Sequence, residues 1–355
     1  MAQVVDAAGA DDPRLDQVAR LEAAARTRLD PAAFAYYAAG SDEEISAGEA
    51  AAAWRELRLL PRVLRDVSAV DTSLTLAGTP LAAPVLAGPS ALHGMAHPEG
   101  EVATARGVAE AGSLLVLSSR SSRQIEQVAG AAGPWWFQVY SLRDREATRQ
   151  QVLRAARAGA RALVLTVDAP YVALKPRVRD PLPVASDDRE LLENVPGVRA
   201  ASREQDPSIG PQVIGQLAEQ SGLPVFVKGV LRADDALRCV EAGAAGVIVS
   251  NHGGRQLDRA VASAHALRAV AAAVGDQVPV LVDGGIHTGT DVLIALALGA
   301  RAVLLGRPVL WALAVDGSQG VRELLDSYRS QLSAAMALAG AANLAQVTGD
   351  LVAAG

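Results

Sequence analysis

The segment SNHGGRQLD, residues 250–258, places a histidine and an arginine three residues apart beside two glycines. A histidine held by a carboxylate is a good base near neutral pH, and the planar guanidinium of arginine matches a carboxylate. Asp168, at the end of another apolar stretch, can supply the carboxylate for the histidine. We therefore predict that His252 accepts a proton with Asp168 as its partner and that Arg255 binds a carboxylate. A structural histidine and a surface salt bridge of Arg255 are the alternatives.

Two further segments carry charge or glycine at positions suited to binding anions. Lys228 ends the stretch FVK, where its charge can stabilise an anionic ring or its amine can form a Schiff base. Pairing of Lys228 with a nearby carboxylate is the structural alternative. The stretches DGGIHTGTD, from Asp283, and LGRP, from Leu305, are typical of a phosphate cradle built from backbone N–H groups and a helix N-terminus.

A repeated pattern predicts the elements that position these residues. A helical stretch ends in Ala-Gly or Leu-Gly, and an apolar run ending in polar residues follows, at residues 110–119, 157–168, 241–252 and 297–307. The glycine is typical of a helix C-terminus, and the apolar run is typical of a strand buried on both faces. With similar runs between them, the predicted strands are 84–88, 114–118, 135–140, 162–167, 224–228, 246–250, 278–283 and 302–306.

Eight such units favour a closed (β/α)8 barrel (a TIM barrel) over an open sheet. We expect a helical segment over residues 1–60, with Asp30 and Pro31 opening one helix, and the barrel over residues 61–355, the two forming one structural domain. Residues 61–80 are predicted to form a short β element, and residues 318–345 closing helices. The long polar loop 169–207 breaks the rhythm and is typical of a lid or of a partly disordered segment.

Polar residues end almost every predicted strand, and in this fold the carboxyl ends of the strands form the active site. Each polar residue alone is explained by the solvent at a strand end, but their number favours a common site. They are Ser118, Gln138, Tyr140, Thr166, Asp168, Lys228, Ser250, Asn251, His252, Asp283, Gly306 and Arg307.

Composition excludes several classes of protein. The net charge of −6 without a basic run argues against binding of nucleic acid. The single cysteine, Cys239, excludes a disulfide framework and favours a cytoplasmic location, and no apolar stretch predicts a signal peptide or a membrane span. His93 and His97 lie four residues apart, but Gly94 and Pro98 predict a loop there, so we expect no metal site.

Ten motifs in order resemble the FMN-dependent α-hydroxy-acid oxidase and dehydrogenase family, from about residue 35 to about residue 340. They are YYAAGSDEE at Tyr36, LPR at Leu60, HPEGEVATAR at His97, LSS at Leu117, FQVY at Phe137, LTVDAP at Leu165, VKGV at Val227, SNHGGRQLD at Ser250, DGG at Asp283 and GRP at Gly306.

The resemblance implies a flavin-binding barrel in which His252 is the base, Asp168 is bonded to it, and Lys228 lies beside the flavin. Catalysis would also involve Tyr140, and the substrate would be bound by Tyr36, Tyr140, Arg255, Lys175 and Arg120. FMN would be bound by Pro89, Ser90, Ser118, Gln138, Thr166, Lys228, Ser250, Asp283, Gly284, Gly285, His287, Gly306 and Arg307. The resemblance also implies a tetramer or octamer, and a cycle in which a 2-hydroxy acid reduces FMN and oxygen, a quinone or a separate electron carrier reoxidises it.

Three positions depart from the family pattern. Ala173-Leu174-Lys175 stands where the family has Gly-x-Arg, whose arginine is the second carboxylate clamp, and Arg177 or Arg179 is an alternative source of that charge. His287 replaces a phosphate-binding arginine, and Arg120 replaces an apolar or aromatic residue that faces the substrate.

These departures leave alternatives open. One is FMN-dependent oxidation of another substrate, such as a hydroxy amide, an amino acid or a biosynthetic intermediate. A second is a flavin-free lyase that forms a Schiff base on Lys228, and a third is a non-catalytic partner subunit.

Overall fold

Eight parallel strands pair into a closed ring, which confirms the predicted (β/α)8 barrel. The computed structural model describes residues 17–178 and 204–353. A two-stranded antiparallel hairpin precedes the ring, formed by β1 (Leu74–Leu76) and β2 (Thr79–Leu81) within the predicted β element. The ring consists of β3 (Val85–Ala87), β4 (Leu115–Ser118), β5 (Trp135–Val139), β6 (Leu163–Thr166), β7 (Val225–Val230), β8 (Gly246–Val249), β9 (Val280–Asp283) and β10 (Ala302–Leu305). Neighbouring strands follow chain order, and β10 closes the ring on β3.

Helices precede the barrel and alternate with its strands. The first three are α1 (Gln17–Arg28), α2 (Pro31–Ala38) and α3 (Ile45–Glu56). As predicted, Asp30 begins one of them, and its carboxylate accepts hydrogen bonds from the backbone of Ala32 and Ala33. The others are α4 (Glu101–Glu110), α5 (Ile125–Ala131), α6 (Arg145–Arg157), α7 (Gln212–Ser221), α8 (Ala233–Glu241), α9 (Ser263–Val274), α10 (Gly289–Ala297) and α11 (Arg307–Leu338).

The repeated glycines end helices as predicted. Gly112, Gly159, Gly243 and Gly299 all adopt left-handed backbone, with φ between 65° and 105°. Because side chains resist this conformation, glycine stops the helix and turns the chain toward the next strand.

The prediction of closing helices over residues 318–345 is confirmed at its start, because a helical stretch runs from residue 318 to Leu338. Helix α11 begins at Arg307, directly after β10, and bends at Asp316 and Gly317 before it ends at Leu338. Gly317 has φ 55° and ψ −138°, outside the helical region, so two helical stretches join there. Pro308, in the first turn of α11, has no N–H to leave unbonded and so favours the start of the helix at Arg307.

Two hydrophobic layers fill the barrel and its outer wall below the rim. Trp136 and Phe226 lie among the side chains that fill the ring, with ring centroids 4.3 Å apart. A Cβ on Gly246 would lie 2.3 Å from the Phe226 ring, so glycine is required for this packing. The outer layer packs the strands against the helices, and Trp135 belongs to it.

The long polar loop is described only at its two ends. The backbone N–H of Ala173 donates to Gln256 and that of Asp42 to the carbonyl of Leu174, so the first part of the loop lies over the rim. The predicted lid otherwise falls on residues 179–203, outside the described residues. No helix in residues 17–178 or 204–353 is long and apolar enough to span a membrane.

Candidate active site

A cavity of about 900 Å³ opens at the carboxyl ends of the barrel strands. This volume lies within the range of about 300–1,000 Å³ that is usual for small-molecule sites. Asp168 and Ser250 are the predicted site residues outside its lining, and each is bonded to a residue that lines it. The lining includes Tyr36, Pro89, Ser90, Ser118, Arg120, Gln138, Tyr140, Thr166, Lys175, Lys228, His252, Arg255, Asp283, Gly284, Gly285, His287, Gly306 and Arg307.

His252 and Asp168 are in hydrogen-bond contact at the wall of the cavity. The Nδ1 atom of His252 lies 2.8 Å from Oδ1 of Asp168, which leaves Nε2 as the nitrogen available to a substrate. The backbone N–H of His252 donates to the Ser250 hydroxyl at 3.0 Å. His252 has φ 60°, a strained conformation for a non-glycine residue that is typical of functional positions.

The surroundings keep Asp168 ionised. Burial acts to raise the pKa of this carboxyl, but the charge and hydrogen bond of His252, with the charge of Lys228, outweigh burial and hold its pKa below the usual value. Its Oδ2 atom is buried and accepts no hydrogen bond from the described part of the chain. Asp168 can therefore stabilise a protonated His252.

Gly229 leaves the space that Asp168 occupies. Its φ is 106°, and a Cβ at this position would lie 2.5 Å from Cγ of Asp168. The sequence analysis missed this residue. The signal was a glycine directly after Lys228 in VKGV, since glycine inside a strand often marks a close approach.

Lys228 is a buried ammonium. Its Nζ atom lies 3.0 Å from Oδ2 of Asp283 and donates to the Ser250 hydroxyl at 2.8 Å. Burial acts to lower the pKa of Lys228, but the charges of Asp283 and Asp168 raise it above the usual value. A Schiff base requires a neutral amine, so this environment opposes that role.

Hydrogen bonds join polar side chains from three adjacent strands into one wall. The Ser118 hydroxyl donates to Oε1 of Gln138 at 3.2 Å, and Nε2 of Gln138 donates to the Thr166 hydroxyl at 3.1 Å. The backbone N–H of Ser119 also donates to Oε1 of Gln138. The wall therefore presents donors and acceptors in fixed positions at the carboxyl ends of β4, β5 and β6.

The opposite wall consists of the loops after β9 and β10, each of which leads into a helix. Gly285 has φ 74°, and a Cβ there would lie 2.1 Å from the carbonyl oxygen of Ala50 in α3. Trp54 of the same helix donates its indole N–H to the Gly284 carbonyl at 2.8 Å. The helix α3 therefore fixes the first glycine loop, a role of Trp54 that sequence analysis did not assign.

The backbone of His287 enters the cap of α10, where its N–H donates to Oδ2 of Asp291 at 2.9 Å. Asp291 also exchanges capping hydrogen bonds with Thr288. This cap holds the N-terminus of α10 in place beside the cavity.

Backbone carbonyls position the guanidinium of Arg307. Its Nε donates to Tyr37 at 3.1 Å and its Nη2 to Gly253 at 2.8 Å. Burial, together with the charge of Arg255, lowers the pKa of Arg307 to about 10. A cation buried among neutral carbonyls favours an anion beside it.

Arg255 is one of three cations that line the mouth of the cavity. The Nη1 atom of Arg255 donates to the carbonyls of Tyr36, Tyr37 and Ala39, at 2.6–3.1 Å, and its guanidinium lies 5.2 Å from the Tyr36 ring centre. Backbone carbonyls leave no side-chain signal, so the sequence did not indicate these contacts.

Arg120 and Lys175 complete the group, which we call the cation arc (Arg120, Lys175 and Arg255). The guanidinium of Arg120 lies 5.1 Å from the Tyr140 ring centre. Burial, then the charges of Arg255 and Arg120, lowers the pKa of Lys175 to about 8.

Arg177 and Arg179 were the alternative sources of the charge that binds the substrate carboxylate. The guanidinium of Arg177 forms an ion pair with Glu44, so a carboxylate already occupies it. Arg179 lies outside the described residues. Lys175 is therefore the cation from this segment that the structure places in the arc.

Comparison with known proteins gives consistent results. Residues 25–354 match the sequence model of the FMN-dependent dehydrogenase family. An L-lactate oxidase of Nostoc sp. is 42% identical over 345 residues, which cover 92% of this chain and 94% of the relative. Glycolate oxidase 1 of Oryza sativa subsp. japonica is 40% identical over 352 residues, which cover 94% of each chain. A solved structure of a mandelate oxidase variant with (S)-mandelic acid aligns with a TM-score of 0.88 at 39% identity, covering 96% of this chain and 99% of that chain.

Proposed function

Since the chain belongs to the family of FMN-dependent dehydrogenases, we propose that it oxidises a 2-hydroxy acid to the 2-oxo acid. The observation that carries this proposal is the His252–Asp168 pair on the same cavity as the cation arc. A base and an anion-binding group are what removal of a proton beside a carboxylate requires. Relatives named for lactate, glycolate and mandelate support this class of substrate.

The residues around the cavity fit FMN. Buried Oδ1 of Asp283 has no hydrogen-bond partner among the described residues and can accept a bond from a ligand hydroxyl. We propose that Pro89, Ser90 and the Ser118–Gln138–Thr166 wall face the ring system, with Lys228 and Ser250 beside it. The loops at Gly284, Gly285, His287, Gly306 and Arg307 would hold the phosphate at the N-termini of α10 and α11.

The proposed chemistry divides between the cofactor and the protein. FMN, when bound, would take up the two electrons and one of the two hydrogens that leave the substrate. His252 takes a substrate proton on Nε2, and Asp168 stabilises the resulting imidazolium through its hydrogen bond to Nδ1. Arg255 and Lys175 hold the substrate carboxylate, and the hydroxyls of Tyr36 and Tyr140 contact the carboxylate or the hydroxyl group.

The lyase hypothesis is wrong. The family is one of FMN-dependent dehydrogenases, and the ion pair with Asp283 keeps the Lys228 amine protonated. We propose oxygen as the acceptor because the curated relatives named above are oxidases, with a quinone or a separate carrier as alternatives. A cytoplasmic location and a homo-oligomer remain predictions.

The test is reduction of the bound flavin. Protein purified with FMN is expected to be yellow and to lose its visible absorbance under argon when a substrate 2-hydroxy acid is added, then to regain it in air. A panel of 2-hydroxy acids, hydroxy amides and amino acids identifies the class. Binding of FMN without bleaching by any 2-hydroxy acid would contradict the proposal.

Lys175 predicts how substrate affinity depends on pH. Its pKa of about 8 means that its positive charge is present below that pH and is lost as pH rises through it. We expect the affinity for a 2-hydroxy acid, measured by anaerobic titration of the flavin spectrum, to fall about tenfold between pH 7 and pH 9.5, a loss equal to about 1.4 kcal/mol.

Lys175→Arg is the matched variant for this prediction. Arginine stays protonated across this range, so the decline between pH 7 and pH 9.5 should disappear. If the decline persists unchanged in Lys175→Arg, another group causes it and the prediction is wrong.

A further inference from the structure

We propose that the preferred substrate carries a second anionic group, at the end remote from its 2-hydroxy acid group, and that Arg120 binds it. This inference rests on the proposed function. A terminal carboxylate and a terminal phosphate share the required chemistry. The argument comes from where the barrel places the cation arc and from what its members contact.

The topology spreads the arc across the cavity. Arg120 follows β4 and Arg255 follows β8, and these strands stand opposite each other in the eight-stranded ring. Lys175 follows β6, midway between them. Lys175 is within electrostatic reach of both, because the charges of Arg255 and Arg120 both act on it. The three cations therefore span the mouth from one side to the other.

No protein carboxylate neutralises this arc within residues 17–178 and 204–353. Arg255 contacts carbonyls and the Tyr36 ring, Arg120 the Tyr140 ring, and Lys175 the carbonyl of Ala173. Two other cations of the lining pair with carboxylates, Arg177 with Glu44 and Lys228 with Asp283, whereas Arg307 contacts backbone carbonyls at the proposed phosphate site. One substrate carboxylate cannot satisfy three cations on opposite sides of a cavity, whereas two separated anions can.

The position of the base sets the orientation. His252 and Arg255 lie in the same loop, so the 2-hydroxy acid group must bind on the β8 side. The rest of the substrate then extends across the cavity toward β4. Arg120 is held there by its backbone, since its N–H donates to the Ser118 hydroxyl at 3.1 Å and its carbonyl accepts from the N–H of Leu92 at 3.1 Å.

Arg120 has one competing role, which is to act on Tyr140. Burial raises the pKa of Tyr140, and the charge of Arg120 opposes that rise. If this were its function, loss of Arg120 would slow all substrates equally. A role in binding a distal anion predicts instead an effect confined to substrates that carry one.

The experiment compares, in the holoenzyme, substrates that differ in the group at their distal end. The quantity measured is the second-order rate constant of anaerobic flavin reduction. The substrates are 2-hydroxybutanedioate, its isostere 2-hydroxy-4-methylpentanoate, which is uncharged at its distal end, and 2-hydroxy-3-phosphooxypropanoate. We expect wild-type protein to prefer one of the two substrates with a distal anion over the isostere by roughly 10- to 100-fold, the range for a hydrogen bond to a charged group. Whichever it prefers identifies the distal group as carboxylate or phosphate.

Arg120→Met should remove this preference, because its rate constant with the preferred substrate should fall roughly 10- to 100-fold more than its rate constant with 2-hydroxy-4-methylpentanoate. Arg120→Lys, which keeps the charge, should retain part of it. Arg143→Met is the matched control, because Arg143 is half-exposed and pairs with Glu204 outside the cavity lining. This variant should change none of the three rate constants.

Two results would overturn the inference alone: a wild-type preference for the uncharged isostere, or an equal loss with all three substrates in Arg120→Met. The comparison in wild-type protein needs no variant to fold. If no 2-hydroxy acid of either kind reduces the flavin, the proposed function fails and this inference fails with it.

Discussion

Replacement of His252 by asparagine is expected to lower the rate of anaerobic flavin reduction by roughly 10²- to 10⁴-fold, the usual contribution of a general base. Asparagine keeps a polar side chain of similar reach but cannot take up a proton. His252 lies in a left-handed turn that asparagine also tolerates, so the backbone should be preserved. The bound flavin should keep its oxidised spectrum.

The matched control is His265→Asn. His265 is a half-exposed histidine whose Nε2 lies 3.1 Å from Glu56, on a helix outside the cavity lining. This variant should reduce flavin at the wild-type rate. Reduction at the wild-type rate in His252→Asn would show that another group takes the proton.

Asp168→Asn separates the two halves of the pair. The amide keeps the shape of Asp168 but loses the charge that stabilises a protonated His252. Asp168→Asn should therefore slow flavin reduction, as His252→Asn does. The double variant should slow it by less than the product of the two single-variant factors. Independent, multiplicative losses would contradict coupling between His252 and Asp168.

Much of the barrel was predictable because its strands have an unusually simple signal. A strand buried on both faces is apolar throughout, and glycines such as Gly112 and Gly299 mark where the preceding helix stops. The predicted strand ends lie within two residues of those observed. The residues GRP, predicted as part of a phosphate cradle at a helix N-terminus, both line the cavity and begin α11.

Side-chain type predicted which residues gather at the site, but not how they are held. The His252–Asp168 contact followed from a base and a carboxylate at the ends of two strands, β8 and β6, on the same rim. The carbonyls of Tyr37 and Ala39 that hold Arg255 could not be predicted, since every residue has a carbonyl. The charge environment of Lys175 depends on Arg120, far away in sequence, and only the closed ring brings the two together.

Lys228→Met should have the largest effect on stability. The Lys228 side chain is 5% exposed and pairs with Asp283, so its removal leaves the carboxylate of Asp283, with 15% exposure, without its cation. Breaking one side of a buried ion pair typically costs about 3–5 kcal/mol. We expect the free energy of unfolding to fall by about that amount, as measured by urea denaturation of FMN-free protein, because a bound ligand would itself add stability.

The double variant Lys228→Met/Asp283→Asn distinguishes loss of the pair from loss of packing. With both charges removed, no unpaired ion remains, and the free energy of unfolding should recover most of the loss. Arg259→Met, which breaks the exposed ion pair with Glu43, is the matched control and should have a far smaller effect. If the double variant is as unstable as Lys228→Met, the lysine stabilises the barrel through packing of its aliphatic stem. Its charge would then be available to act on a bound anion without being needed for folding.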